Sequence, residues 1–160
     1  MKFSNKFEPI IPGLGAAIII GLLSFLSLET STGVWLMISF GPTVFIALVL
    51  HKSDIAHPVN IFFGHLICIL IGIFFNELYG MSFISMGLSV GISVSIMIYL
   101  KCVHPPAAAN PLIALMSDVS FEYILFPVIT GSLVIIFLSI IINNLLLKRD
   151  YPKNFNLNKK

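Results

Sequence analysis

The sequence predicts an all-α membrane protein with about six membrane segments, four of them long and two short or broken by proline. Three observations carry this expectation. Hydrophobic residues fill 58% of the 160 positions and charged residues only 10%, whereas charged residues make up about a quarter of an ordinary soluble domain. The apolar residues come in long runs separated by very short polar stretches, which a chain of this length could not enclose with its own polar surface. The Lys and Arg residues, finally, gather at the ends of those runs. A net charge of +2 gives no reason to expect a nucleic-acid partner, so the lipid bilayer is the expected surroundings.

Four runs are long enough to span: Pro12–Leu28, Ile61–Leu78, Phe83–Leu100 and Tyr123–Leu147. At 1.5 Å per residue, a helix of about 17 residues covers roughly 25 Å of a hydrocarbon core about 30 Å thick. Lys2 and Lys6 ahead of the first run imitate a secretory signal. The run is longer than a signal's apolar core, however, and Leu26–Thr32 holds no clear small-x-small cleavage site, so it reads as the first span. Cys68 and Cys102 have no disulfide framework around them and are expected to be free, packed thiols.

Trp35–Leu50 and Cys102–Met116 are apolar but short, and each carries proline. If both cross, then Lys2, Lys6, Lys52, Lys101, Lys148, Arg149, Lys153, Lys159 and Lys160 all fall on one side, as the positive-inside rule requires. Five crossings would put the basic tail outside. The expectation is therefore a single transmembrane domain over residues 1–160, with both termini cytoplasmic, in a bacterial inner (plasma) membrane. Residues 12–78 and 83–147 form its halves and 148–160 a basic cytoplasmic tail.

The halves resemble each other. Gly64–Leu78 aligns without gaps on Gly131–Leu145, sharing Gly, Leu, Ile, Ile, Asn and Leu, and the small-residue spacing Gly13, Ala17, Gly21 recurs as Gly87, Gly91, Ser95. Three segments per half make the predicted repeat an inverted 3+3 one, an architecture recurrent in secondary transporters. The small-residue stripes are read as helix-packing scaffold. Six segments of this length enclose little interior, which favours a homo-oligomer.

The chemistry is expected in the two short segments. In the run Lys101-Cys102-Val103-His104-Pro105-Pro106-Ala107-Ala108-Ala109-Asn110-Pro111, the paired prolines stop one helix and can start another. The first half offers a counterpart in Ser39-Phe40-Gly41-Pro42-Thr43, where Gly41 allows a sharp turn, Pro42 can begin a half-helix and Thr43 carries a hydroxyl. Unpaired amides at two facing helix starts would attract a small anion. Two proline kinks that only shape the bundle are the alternative. His104 could bond the anion or take up a proton, or could cap the backbone around Pro105. His65 and Asn110 could join it or could satisfy neighbouring backbone groups. Lys101 reads as a snorkelling anchor or an anion recruiter.

The His104-Pro105-Pro106-Ala107 run closing an apolar helix, preceded by Ala56-His57-Pro58-Val59-Asn60 and Gly64-His65, is similar to the signature of the HPP family of integral membrane proteins. These features cover roughly residues 41–112. The resemblance implies a membrane transport role, with nitrite transport attributed to photosynthetic members. The sequence departs from the family pattern in carrying Gly-Pro-Thr where relatives tend to have Gly-Ala-Ser. It also has Ala-Ala-Ala-Asn-Pro after the motif, where a Gly is common.

The expected function is thus a transporter or channel-like facilitator of a small inorganic anion, with nitrite the first choice. Gly41, Pro42, Thr43, His65, His104, Pro105, Pro106 and Asn110 are expected to form the binding site. A structural or regulatory membrane subunit is the competing reading. His51, His57, His65, His104 and Cys102 fall towards one side without compact ligand spacing, so neither a metal nor another cofactor is expected. No nucleophile, base and orienting group converge, so no enzyme activity is expected either.

Overall fold

A computed structural model describes residues 10–153, all of whose regular elements are helical. Lys2, Lys6, Lys159 and Lys160, invoked for topology, lie outside the described residues. The order is α1 (Ile10–Glu29), α2 (Phe40–Val49), a short 3-10 turn (Asp54–Ala56), α3 (Pro58–Tyr79) and α4 (Phe83–Tyr99). A second 3-10 turn (Pro105–Ala109) leads into α5 (Asn110–Ser117), and the last segment runs from Ile124 to Leu146 with α6 (Thr130–Ile141) at its centre. Three helices are long and apolar enough to cross a bilayer, namely Ile10–Glu29, Pro58–Tyr79 and Ile124–Leu146. The 17 residues of α4 extend roughly 25 Å. The two short segments appear where the prolines predicted them.

Local chemistry sets the boundaries. Pro58 occupies the first turn of α3 and the His57 side chain accepts the Val59 amide proton, an N-terminal arrangement that proline tolerates because its missing N–H would have had no helical partner. Ser82 and Ser85 form a capping box ahead of α4, each satisfying an amide that the helix cannot. Between α1 and α2 the Ser27 hydroxyl oxygen accepts the amide protons of Trp35 (2.8 Å) and Leu36 (3.0 Å), folding the connection back along α1. At the other end, Arg149 Nη1 donates to the Leu48 carbonyl and the Tyr151 hydroxyl donates to the Ala56 carbonyl at 2.6 Å. Burial pushes the Tyr151 pKa up, so the hydroxyl remains a donor at neutral pH. The described start of the basic tail expected over residues 148–160 thus packs on the protein, Arg149 against the end of α2 and Tyr151 against the 3-10 turn at Asp54–Ala56.

Helix packing repeats between the halves. α1 packs on α2 as α4 packs on α5, α3 on α5 as α6 on α2, and α3 on α4 as α6 on α1. The aligned asparagines agree: Asn76 Nδ2 donates to Asp118 just beyond α5, and Asn143 Nδ2 donates to the Ala47 carbonyl near the end of α2. The aligned glycines agree as well. A Cβ on Gly64 would lie 2.9 Å from the His104 Cβ, and one on Gly131 would strike the Phe40 ring and approach the Trp35 carbonyl at 2.8 Å. In each half the third segment thus presses a glycine against the start of the other half's broken segment.

The small-residue stripes differ from expectation. Gly13, Gly21, Gly87 and Gly91 have nothing within 4 Å of an added Cβ, and all are exposed on the single chain. The stripe of α4 that faces inward is Ser85, Ser89, Ser93 and Met97. Both stripes have helical spacing, two residues out of phase, and hydropathy cannot tell one set of small residues from the other. The closest glycine contacts are those of Gly64 and Gly72 in α3 and Gly131 in α6, with Gly15 of α1 next, where an added Cβ would lie 3.1 Å from Ile142 and Leu48.

The six-crossing arrangement can be checked with single reporter cysteines, since Cys68 and Cys102 are buried while Asp118 and Asp150 are exposed. Asp118→Cys and Asp150→Cys are expected to react with an impermeant maleimide from opposite sides of an oriented vesicle. Labelling of both from one side would mean that residues 118–150 do not cross.

Candidate functional site

The polar side chains buried where the two broken segments meet come from four places in the chain. Ser39 and Thr43 stand one turn apart at the start of α2, and His65 lies two turns into α3. His104 closes the stretch after α4, and Asn110 begins α5. Ser39 is 2% exposed and the other four are 0% exposed, in surroundings that include Phe40, whose ring meets His65 edge-on at 5.3 Å. A buried polar group without a partner costs about 1–3 kcal/mol, and here each finds one. The Ser39 hydroxyl donates to Asn110 Oδ1 at 2.9 Å. Asn110 Nδ2 lies 3.1 Å from His65 Nδ1 and 3.0 Å from the His65 carbonyl. Thr43 Oγ1 is 2.9 Å from His65 Nε2, 3.0 Å from His104 Nε2 and 2.8 Å from the Ser39 carbonyl. His104 Nδ1 donates to the Ile55 carbonyl at 2.7 Å.

Thr43, His65, His104 and Asn110, all expected at the site, are therefore in one hydrogen-bonded network. Gly41, Pro42 and Pro105 are exposed and take no part through side chains; Pro106 is buried beside the network. Backbone amides play a different role from the one expected. The amides of Phe40, Gly41 and Thr43 donate to the carbonyls of Met37, Ile38 and Ser39, and those of Ala107 and Asn110 to His104 and Ala107. Prolines 42, 105, 106 and 111 have no amide proton to offer. The short turns at both starts thus satisfy their own donors, and the polar centre is built from side chains.

Two participants were not foreseen. Ser39 was legible as the residue one turn before Thr43. The Ile55 carbonyl was not, because it lies 49 residues from His104 in sequence, in a short turn with no periodic pattern.

Cavities flank the network. On the side of residues 51–60, a polar cavity of about 320 Å³ is lined by His51, Asp54, His57, Asn60, Lys101 and Lys153, among others. Ile55, next in sequence to the cavity-lining Asp54, supplies the carbonyl that His104 bonds, and Asn60 Nδ2 ties the Asp54 and Val103 carbonyls. The pKa of His51 is lowered by its burial and then by Arg149 and Lys52, so His51 is neutral at pH 7. The positive charge of this cavity rests on Lys101 and Lys153, against Asp54. Towards the opposite ends of the helices, a cavity of about 350 Å³ touches Met37, Gly41, Ile113, Ser117 and Tyr123. Among the described residues, no group of three or more His, Cys, Asp or Glu side chains could hold a metal ion. His65 and His104 meet, while His51 and His57 line the separate polar cavity.

The helices and their buried polar centre define a polytopic α-helical membrane protein. Residues 3–152 match the transmembrane region of the HPP family, and the chain belongs to that family. It is 28% identical over 143 residues to a transmembrane protein of Dictyostelium discoideum, an alignment covering 84% of this chain and 46% of the relative. A second transmembrane protein of the same organism is 27% identical over 125 residues, covering 71% of this chain and 43% of the relative. The chain spans less than half the length of these curated relatives. No solved structure matches it.

Proposed function

We propose that the protein carries a small inorganic anion across the membrane, with nitrite the first candidate. The observation that supports this most strongly is the buried network at the meeting of two proline-broken segments. Intramembrane polar groups are costly and are kept where they serve a pathway, and broken helices near the interface of two halves are where secondary transporters bind their cargo. The basic cavity beside His104 favours an anion over a cation, because Lys101 and Lys153 outnumber Asp54 there. Rocking of one three-segment half on the other would connect the two cavities in turn to Thr43, His65, His104 and Asn110. Both termini lie on the Lys-rich side in this reading. The outward small-residue stripes of α1 and α4 suit contact with a second copy in lipid.

The network's mutual satisfaction is also what a structural or regulatory subunit would show, and reconstitution separates the two readings. Purified protein in liposomes is expected to accelerate uptake of nitrite or nitrate over empty liposomes. The Lys101→Gln and Lys153→Gln pair is expected to raise KM several-fold, most clearly at low ionic strength where surface charge steers anions best. Flux no greater than in empty liposomes for nitrite, nitrate and chloride would remove the transport reading.

A further inference from the structure

Hydrogen-bond valences at the network fix where its protons are. The Ile55 carbonyl can only accept, so His104 Nδ1 carries a proton and, in the neutral ring, Nε2 is a bare lone pair. Asn110 points its amide nitrogen at the His65 carbonyl and at His65 Nδ1, and its oxygen at the Ser39 hydroxyl. His65 Nδ1 is therefore an acceptor, and Nε2–H donates to Thr43 Oγ1. The Thr43 hydroxyl has one proton left to give and two acceptors for it, the Ser39 carbonyl and His104 Nε2.

That surplus of acceptors has a chemical meaning. If His104 Nε2 gains a proton, it donates into the second lone pair of Thr43 Oγ1, and the Thr43 proton turns to the Ser39 carbonyl. Every group around Thr43 is then satisfied without any heavy atom moving. His65 cannot do the same: a proton on its Nδ1 would face the Asn110 amide hydrogens, and turning that amide would set its oxygen against the His65 carbonyl, acceptor against acceptor. The network accepts one extra proton, on His104.

An imidazolium there would be buried among apolar helices, and its cost must be met by a nearby opposite charge. The groups facing His104 are Thr43 of α2 and Ser39 just before that helix, His65 from α3, the Ile55 carbonyl, and Asn110 of α5 beyond Thr43 and His65. Cys68 and Cys102 lie in the adjoining apolar cluster with Ala107. None of these is a carboxylate; among the described residues, Asp54 lines the neighbouring polar cavity together with Lys101 and Lys153. We infer that the missing countercharge is the transported monoanion. His104 takes its proton from solution as the anion binds, and each favours the other by the same factor. This rests on the transport reading above and makes the protein an electroneutral proton–anion symporter: one proton adds to the Nε2 lone pair, one anion accompanies it, and both leave together.

The test uses proteoliposomes with a lumenal pH dye, and nitrate as the probe, because nitrous acid crosses lipid unaided. An inward nitrate gradient is expected to acidify the lumen by one proton per anion, with no effect of a potassium–valinomycin potential. Below saturation, uptake should rise about tenfold for each unit the external pH falls, the slope of one bound proton. His104→Gln, which can bond Thr43 but holds no proton, should lose both the acidification and the pH slope. His65→Gln should slow uptake but keep the one-to-one ratio. Nitrate flux that follows the membrane potential without proton movement would overturn the symport, as would His104→Gln retaining proton uptake. If His104→Gln fails to fold, the wild-type ratio and potential response decide alone. Absence of any nitrate, nitrite or chloride flux would instead overturn the transport reading on which the symport depends.

Discussion

Thr43→Val is expected to destabilise the protein by about 2 kcal/mol while leaving its shape unchanged. Valine fills the same space, so no cavity forms. It strands the His65 Nε2 donor and the His104 Nε2 acceptor, two 0% exposed groups. The Ser39 carbonyl keeps the Thr43 amide, a bond that does not depend on the side chain. Orphaned buried groups cost about 1–3 kcal/mol each in soluble proteins. The lower end of that range applies here, because a chain unfolded within lipid also finds partners. Thermal unfolding in detergent should show a Tm lower by about 5 °C. Thr43→Ser, which keeps the hydroxyl, should lie close to wild type. Equal Tm values for the valine and serine variants would mean that the network contributes nothing to stability.

Gly72→Leu is expected to have a still larger effect. A Cβ at Gly72 would stand 2.7 Å from the Pro111 Cα and 2.8 Å from the Ala114 Cβ, so the obstacle is backbone and cannot swing aside. Overpacking a fitted interface costs about 1–3 kcal/mol even for modest additions. Leucine must separate α3 from α5, the helix pair that carries His65 and Asn110. Gly72→Leu should therefore reduce the folded yield and disturb the network together, and Gly72→Ala should do so more mildly. Gly87→Ala provides the contrast, with nothing within 4 Å of its Cβ; it should match wild type in a melting curve. A normal melting curve for Gly72→Leu would contradict the packing described.

Much of this architecture was legible in the sequence because the bilayer imposes a length and a composition on each span. Pro12–Leu28, Ile61–Leu78, Phe83–Leu100 and Tyr123–Leu147 needed only apolar runs, and they recur as helices within a few residues of those bounds. The short segments needed proline chemistry and the placement of Lys and Arg. Thr43, His65, His104 and Asn110 were legible as polar residues in segments otherwise too apolar to carry them.

What stayed hidden was direction. The inward faces of α1 and α4 could not be chosen, because small residues line both faces of α4, at Gly87, Gly91 and Ser95 and at Ser85, Ser89 and Ser93. The amides expected to meet an anion are taken up by tight turns whose bonds depend on backbone angles, which a string of residue types does not specify. Pairing of His104 with the Ile55 carbonyl, like that of Tyr151 with the Ala56 carbonyl, is a long-range contact with no periodic trace. The aligned pairs Gly64 with Gly131 and Asn76 with Asn143 proved more informative than the stripes, because each pair contacts corresponding parts of the opposite half.

In the proposed function an anion passes through the Thr43–His65–His104–Asn110 network. Nitrate uptake into proteoliposomes by wild-type protein, Thr43→Ser and Thr43→Val, all at a temperature where each is folded, tests it most directly. Wild type and Thr43→Ser should exceed empty liposomes clearly, and Thr43→Val should fall to their level. Equal uptake by all three variants would contradict the account, since the path would then lie elsewhere in the protein.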